Sequence, residues 1–194
     1  MELHRFFRYA IEKMCKEKKS LNHFNKWNSI KYLINNASFK ITFWFRIGSY
    51  LQSHKGFIYK ILYMFVLLIH KHNQYLTGIQ LPFGTKIGKG LCFSHFSCIV
   101  INRNCVIGSN CTIFQGVTIG SVRGPKGGTP IIGNNVVICA GAKIIGKVNI
   151  GNNVIIGAGA VVVNDISDNS VAVGIPAKTI SKNGKINTEY YQIN

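Results

Sequence analysis

The sequence IGNNVVICAGAKIIGKVN at residues 132–149 is followed directly by IGNNVIIGAGAVVVNDIS at residues 150–167, and nine of the 18 aligned positions are identical. Within both stretches an aliphatic residue recurs at every sixth position, beginning at Ile132 and Ile138. A second apolar series has the same period, and each of its members comes four residues later in the chain. Helices have a period of 3.6 and strands a period of 2, so neither explains two series of period six. A chain that turns a corner every six residues does. The repeat predicts a parallel β-helix with 18-residue coils, each covering its neighbour.

The same series extends upstream and shows where the β-helix is interrupted. Ile87 and Ile99 follow a series shifted by two residues from the one that starts at Ile101, so we expect a bulge or a wider corner between Ile99 and Ile101. Residues 121–130 (SVRGPKGGTP) break the period again and are expected to leave the coil as an external loop. The β-helix is expected to end near Pro176.

Residues 1–78 differ in kind, because they mix basic and aromatic residues and contain only three glycines. Residues 41–51 and 57–70 read as two helices separated near 52–56, and residues 1–35 also read as helical. The apolar residues of both helices cover more than one face, so each should be buried or lie against a membrane. The expected domains are a helical region at 1–78, a β-helix domain at 79–180 and a polar tail at 181–194.

The net charge of +17 is extreme for 194 residues, and 13 of the 23 Lys and Arg residues lie within residues 1–80. Such a charge attracts an anionic lipid, a phosphorylated substrate or a nucleic acid. No nucleic-acid-binding module is visible, so we expect no nucleic acid partner. A solvated basic surface without a partner remains an equal alternative.

The six cysteines form no CxxC motif or Cys/His cluster, which predicts reduced thiols and no metal site. No export signal opens the chain, and we expect a cytoplasmic location.

Three features of the repeat region could carry chemistry. His95 is its only histidine, and a neutral imidazole can take a proton from a hydroxyl. Ala140 and Ala158 each open an Ala-Gly-Ala triplet, one coil apart, and could form a shallow groove for a thin ligand such as a pantetheine arm. The loop at 121–130 and Lys178 could meet phosphates. A structural histidine, a tight corner and ordinary surface lysines are the respective alternatives.

Five motifs follow one another along the repeat region, namely IGKGL at 87–91, His95, QGVTIG at 115–120, AGAKI at 140–144 and GIPAK at 174–178. In order and spacing they resemble the hexapeptide-repeat acyltransferases over about residues 78–180, and most of all the branch that contains serine acetyltransferases and capsule or exopolysaccharide O-acetyltransferases. The resemblance implies a left-handed parallel β-helix, a homotrimer with sites in clefts between neighbouring subunits, and acetyl-CoA as the acetyl donor without a metal.

The resemblance also implies roles for individual residues. His95 matches the general base of the family. Lys178 matches a basic position near the phosphates of CoA. Four further residues match positions that line the CoA groove, namely Gly120, Ser121, Ala140 and Ala158.

Three positions depart from the pattern of serine acetyltransferases. The aspartate that precedes the histidine by 15 residues is Gln80 here, the aspartate immediately before it is Ser94, and the Arg-His pair after the Gly-Gly of the loop is Thr129-Pro130. The first of these aspartates orients the histidine in that family, and Gln80 can hold an imidazole N–H but stabilises imidazolium less than a carboxylate does. The departures also remove the groups that hold the amine and carboxylate of free serine. They predict a different acceptor, a sugar hydroxyl of a surface polysaccharide or its lipid-linked precursor, contacted by Gln80 and Ser94.

Two alternatives to this function stay open, namely serine O-acetylation for cysteine synthesis and a non-catalytic β-helix scaffold. Residues 1–78 are expected to hold the enzyme at the inner face of the cytoplasmic membrane, because they are cationic, aromatic and apolar.

Overall fold

The computed structural model describes residues 33–125 and 127–191. Two helices come first, α1 (Ala37–Ser53) and α2 (Phe57–Thr77), and the break between them lies within the predicted one. Of the helix predicted within residues 1–35, only 33–35 belong to the described residues, and these three are helical. Within the described ranges, no helix combines the length and apolarity needed to cross a bilayer.

Helix α2 ends seven residues later than the hydropathy pattern predicts. Its buried face continues past the apolar run through His70, Asn73 and Thr77, which follow one another at helical spacing. The Thr77 hydroxyl donates to the Asn73 carbonyl at 2.7 Å, and Gly78 ends the helix with a φ of 65°. The hydropathy pattern misses this extension because its buried residues are polar.

Helix α1 anchors the helical pair to the first coil. The Arg46 guanidinium donates to the carbonyl of Ile87 at 2.7 Å and also to that of Gly88. The amide of Phe93 donates to Ser38 Oγ at 2.9 Å. Because a buried guanidinium is tolerated only where oxygen atoms accept its hydrogens, these bonds hold α1 in one position against the β structure.

Fifteen strands follow in the described residues, and most contain only two residues because the chain turns a corner after each one. They are β1 (Ile79–Gln80), β2 (Lys86–Ile87), β3 (Cys92–Phe93), β4 (Ile99–Ile101), β5 (Val106–Ile107), β6 (Thr112–Ile113), β7 (Thr118–Gly120), β8 (Ile131–Ile132), β9 (Val137–Ile138), β10 (Lys143–Ile145), β11 (Asn149–Ile150), β12 (Ile155–Ile156), β13 (Val161–Val162), β14 (Val171–Gly174) and β15 (Ala177–Ser181).

The strands stack into three sheets that form the faces of a prism. Sheet A has the order β1-β4-β7-β10-β13, sheet B the order β2-β5-β8-β11, and sheet C the order β3-β6-β9-β12-β14, all with parallel pairing. Every third strand therefore returns to the same face one coil later. The parallel β-helix predicted from the 18-residue repeat is confirmed.

The interior of the prism is a column of aliphatic side chains. Ile101, Ile119, Ile144 and Val162 lie above one another in sheet A, and all four are buried. Such a column removes apolar surface from water at every coil. The aliphatic period in the sequence is therefore the inward-pointing position of each face.

One corner of the prism is built from asparagines. Asn110, Asn135, Asn153 and Asn169 occupy successive coils with φ between 54° and 57°. The side-chain amide of each donates to Oδ1 of the next at 2.9 to 3.1 Å. Asparagine accepts left-handed backbone angles more readily than other residues with a Cβ, so the ladder keeps this corner tight.

The wider corner lies earlier in the chain than predicted. Ile99 and Ile101 belong to one regular strand, β4, and both side chains are buried, so no bulge separates them. The pairing of β3 with β6 and of β4 with β7 sets residues 94–99 against residues 114–117 of the next coil. Two extra residues therefore turn the corner between sheets C and A. The shift in the aliphatic series indicates two inserted residues, and the strand pairing places them in this corner.

Residues 121–130 leave the coil as predicted, between β7 and β8. Val122 and Gly128 exchange two backbone hydrogen bonds at 3.0 and 3.1 Å, which makes the loop a small hairpin. The hairpin folds back on the coil, because a Cβ added to Gly146 would lie 3.2 Å from Val122 Cγ2.

The β-helix ends near Pro176, where β15 turns back and pairs antiparallel with β14. Part of the segment predicted as a polar tail at 181–194 forms a short helix, α3 (Gly184–Glu189). A Cβ added to Gly184 would overlap the carbonyl oxygen of Asn153, so α3 packs directly on the prism.

Candidate functional site

His95 lies on the widened corner between sheets C and A. The two extra residues of this corner carry the chain outward, and Ser94, His95 and Phe96 are all exposed. Ser97 and Cys98 complete the turn with φ of 124° and 51°. An imidazole in this position is open to a bound substrate. The predicted base therefore lies on the outside of the coil and takes no part in the core.

The ring of Phe114 is the neighbour of His95 in the next coil. Their ring centroids are 5.8 Å apart, and the rings of Phe114 and Tyr191 are nearly perpendicular with centroids 6.0 Å apart. The residues after α3 thus return to the corner that carries His95. The sequence analysis missed Phe114 and Tyr191, and only the aromatic residue at a corner position hints at the first of them.

Ala140 and Ala158 lie on the same corner of the prism as His95, in later coils. The amide of Gly159 donates to the Ala140 carbonyl at 2.8 Å, and the amide of Gly141 donates to the Gln115 carbonyl at 2.9 Å. Gly141 and Gly159 have φ of 71° and 67°, which residues with a Cβ rarely adopt. The triplets therefore form a tight corner, and they also present two small side chains in line beyond His95.

Gly120 and Ser121 lie at the other edge of sheet A. Gly120 ends β7, and a Cβ added there would lie 3.1 Å from Cδ1 of Ile145. Ser121 is exposed, and its hydroxyl accepts a hydrogen bond from the side chain of Asn102 at 3.1 Å. Arg123 is exposed in the hairpin that follows. Sheet A thus has His95 and the alanines along one edge and the hairpin along the other.

Of the remaining predicted site residues, only Ser94 lies beside His95 on the widened corner. Gln80 is exposed on sheet A opposite Val100, and no hydrogen bond links it to His95 in the part of the chain that the structure describes. Ser94 donates through its amide to the Ile113 carbonyl at 3.0 Å. Lys178 is exposed on β15 in sheet C. Among residues 33–125 and 127–191, no side chain therefore orients His95 by a hydrogen bond.

Lys143 is a polar residue of sheet A that the sequence analysis passed over. Its amine donates to the Gly116 carbonyl at 2.7 Å. Gly116 belongs to the same corner of the prism as His95, one coil later, so this bond places a positive charge at the edge of sheet A that carries His95. The signal was present in the sequence, since Lys143 belongs to the AGAKI motif.

Two further features, a buried thiol and a surface hollow, are not part of the candidate site. Cys139 precedes the first alanine triplet, and burial raises the pKa of its thiol, which keeps the thiol in the protonated, weakly nucleophilic form. A shallow hollow lined by Asn149, Asp165 and Asp168 contains none of the predicted site residues. In the described residues, no three His, Cys, Asp or Glu side chains converge where a metal ion could bind.

A family model described as bacterial transferase hexapeptide (six repeats) matches residues 129–164. These residues therefore carry the hexapeptide repeat of the bacterial transferases. Serine acetyltransferase from Staphylococcus aureus strain Mu50 is 40% identical over 139 residues, which cover 71% of this chain and 65% of the relative. The Staphylococcus epidermidis enzyme of the same name, from strain RP62A, is 40% identical over 141 residues, with 72% and 65% coverage. The chain thus spans just under two thirds of the length of these curated relatives.

Solved structures share the fold of this hexapeptide-repeat chain. Serine acetyltransferase from Neisseria gonorrhoeae aligns with a TM-score of 0.70 and 26% identity, covering 93% of this chain and 68% of that one. A serine acetyltransferase in complex with CoA aligns at 0.69 and 26%, with 90% and 69% coverage. The soybean enzyme complexed with serine aligns at 0.68 and 28%, with 89% and 68% coverage. The mainly β, left-handed β-helix fold with preceding helices is confirmed.

The predicted carbohydrate acceptor is wrong, and so is the predicted role in polysaccharide or capsule synthesis. Relatives 40% identical to this chain are named serine acetyltransferase. The prediction assumed that Gln80, Ser94 and Thr129 together decide the acceptor. In the structure Gln80 lies on sheet A, Ser94 lies on the corner, and the Thr129 hydroxyl donates to the Asn104 carbonyl at 3.0 Å. The three substituted positions do not form one cluster within the chain. Their shared lack of charge is therefore weak evidence against serine as the acceptor.

Proposed function

We propose that this chain transfers the acetyl group of acetyl-CoA to the hydroxyl of serine, with His95 as the general base. The observation that carries the proposal is the exposed imidazole of His95 on the widened corner, in line with the small residues Ala140 and Ala158 of later coils. The names of the relatives support the acceptor, and the neighbours bound to CoA and to serine support the two ligands.

The reaction needs no covalent intermediate on the chain. His95 takes the proton of the serine hydroxyl as its oxygen attacks the thioester carbonyl. The C–S bond then breaks, the imidazolium returns the proton to the sulfur, and free CoA and O-acetylserine leave. Main-chain N–H groups beside the groove would stabilise the negative charge on the carbonyl oxygen. No metal is required at any step.

Cations near sheet A can bind the serine carboxylate in place of the charged groups that are absent at the substituted positions. Arg123 is exposed in the hairpin at one edge, and the amine of Lys143 lies at the other edge, on the side of His95. A guanidinium binds a carboxylate through two parallel hydrogen bonds. Arg123 is therefore our choice for the carboxylate. Gly120, Ser121 and the alanines remain the proposed contacts of CoA, and Lys178 that of its phosphates.

A homotrimer would complete the site by bringing a second subunit against sheet A. The outer faces of the coils expose apolar side chains that a neighbouring subunit could cover, among them Val100, Ile131 and Val163. Apolar side chains of this size at an interface contribute to association. The mass of the protein in solution tests this proposal.

The central experiment measures thiol release from acetyl-CoA by the purified full-length chain with serine as acceptor. We expect turnover with serine and a loss of at least about 100-fold in kcat for His95→Ala, the usual contribution of a general base. The matched control is His72→Ala, because His72 is exposed on α2 and belongs neither to the corner nor to sheet A. Arg123→Gln should raise KM for serine and leave KM for acetyl-CoA unchanged.

Two outcomes would contradict the proposal. Turnover with UDP-sugars but none with serine would reject the acceptor. Unchanged turnover in His95→Ala would reject the base. If the chain binds no CoA at all, as measured by calorimetry, the scaffold alternative is favoured.

A further inference from the structure

The outer side of helix α2 carries a continuous apolar face. Phe65 and Leu68 are 70% and 67% exposed, whereas Val66 and His70 on the opposite side are buried. Large apolar residues exposed one at a time are ordinary, but a contiguous face marks an interaction surface. We call the exposed apolar residues of this helix the α2 face: Phe57, Ile58, Ile61, Leu62, Met64, Phe65, Leu68, Tyr75 and Leu76.

The charges around the α2 face have a single sign. Residues 33–78 contain five Lys and Arg residues and no Asp or Glu. Lys55, Lys60 and Lys71 are exposed. Lys60 and Lys71 are eleven residues apart, about three helical turns, so both lie on the same flank of the face. The partner of this surface must accept apolar side chains and supply negative charge beside them.

We propose that the α2 face docks this chain on an anionic phospholipid bilayer, with the helix axis in the plane of the membrane. An amphipathic helix with apolar residues on one side and lysines on its flank binds in this way. The apolar side chains enter the boundary of the acyl chains, and the flexible lysine stems carry their amines up to the lipid phosphates. The helix lies in the interface and does not cross it, in accord with its moderate apolarity.

Charge complementarity favours lipid over a second copy of the chain. Two copies that joined their α2 faces would bring together the lysines of both, and residues 33–78 offer no carboxylate to pair with them. Like charges brought together at an interface are unfavourable. Lipid headgroups remove this repulsion. The proposal concerns a surface outside the corner of His95 and does not depend on the proposed reaction.

Sedimentation of the full-length chain with vesicles tests the docking. We expect the chain to sediment at low salt with phosphatidylcholine vesicles that contain phosphatidylserine. With phosphatidylcholine alone, at least about tenfold less should sediment, because surface charge supplies much of the attraction. Absence of sedimentation with both vesicle types would overturn the proposal.

Two double variants separate the α2 face from the rest of the surface. Phe65→Gln with Leu68→Gln should weaken vesicle binding at least about tenfold, since each apolar side chain of this size removed from water contributes that much. Ile180→Gln with Ile186→Gln is the matched control, because both residues are exposed at the other end of the β-helix, 66% and 60%. Equal losses in the two double variants would reject the α2 face as the docking surface.

A fluorescent probe distinguishes lipid from other occupants. Phe65→Trp places an indole in the middle of the α2 face, and we expect its emission to shift to shorter wavelength when anionic vesicles are added. An emission that is already blue-shifted without vesicles and does not move would show that protein covers the face. If the shift instead depends on protein concentration and coincides with a change in mass by light scattering, the occupant is a second copy and the proposal fails.

Discussion

His70 should make the stability of this protein depend on pH. It is buried against the rings of Phe45 and Phe83, and its Nε2–H donates to the carbonyl of Leu81 at 2.7 Å. A second proton would have to bind Nδ1, which has no hydrogen-bond partner among the described residues. Burial lowers the pKa of His70 from 6.5 to about 4. The folded protein therefore holds this imidazole neutral where an unfolded chain would charge it.

The sign and size of the effect follow from this shift. Between pH 6.5 and about pH 4 the unfolded chain binds one proton more than the folded chain at this site. The free energy of unfolding is therefore highest above pH 6.5 and falls as the pH is lowered. From pH 7.5 to pH 5 the loss is about 2 kcal/mol, and the full shift corresponds to about 3 kcal/mol.

Urea unfolding followed by tryptophan fluorescence at the two pH values measures this loss. His70→Gln keeps a donor for the Leu81 carbonyl and removes the titration, so its pH dependence should be smaller than that of the wild type by about 2 kcal/mol. His72→Gln is the control, because His72 is exposed on the same helix. If His70→Gln and the wild type lose the same free energy, the buried neutral imidazole is not the cause and the reasoning fails.

Three further predictions concern the corners and the thiols. Gly108→Ala places a Cβ onto the backbone of the next coil and should lower the free energy of unfolding by about 2–3 kcal/mol, measured by urea unfolding. Phe114→Ala removes the ring contact of His95 and should lower kcat about tenfold with KM for acetyl-CoA unchanged, measured by thiol release; a change in KM alone would contradict a positioning role. Iodoacetamide at pH 8 should alkylate the exposed Cys98 and spare Cys105, whose thiol pKa is raised to about 11 by burial, as peptide mass spectrometry can show.

Much of the fold could be predicted because a solenoid repeats one local rule. Each coil must point an aliphatic residue inward on each face, and Ile119 and Ile144 meet this requirement by stacking in sheet A. The excursion at 121–130 was visible for the same reason, since it interrupts the period. The location of the wider corner was not visible. The aliphatic series predicts the two extra residues between Ile99 and Ile101, whereas in the structure they turn the corner that precedes β4.

The candidate site was predicted in part. His95, Ala140 and Ala158 could be selected from motifs, and the structure places them along one corner. Their proposed roles stay predictions until they are tested. Tyr191 could not have been found, because its contact with Phe114 joins residues far apart in the chain and depends on the return of the C-terminal residues after α3. Phe114 is only hinted at by its corner position, about one coil after His95. The acceptor was predicted wrongly, since three substitutions were treated as one binding cluster.

By itself the sequence determined the period, the three-sided coil and the separation of a basic helical region from the repeats. These properties are local, because hydrophobic spacing and corner residues act within one coil and its neighbour. The tertiary structure alone decided where the inserted residues expose His95, which ring lies beside it, and which side of α2 is exposed in the described part of the chain. Those features depend on how distant segments pack, and no spacing along residues 132–167 encodes them.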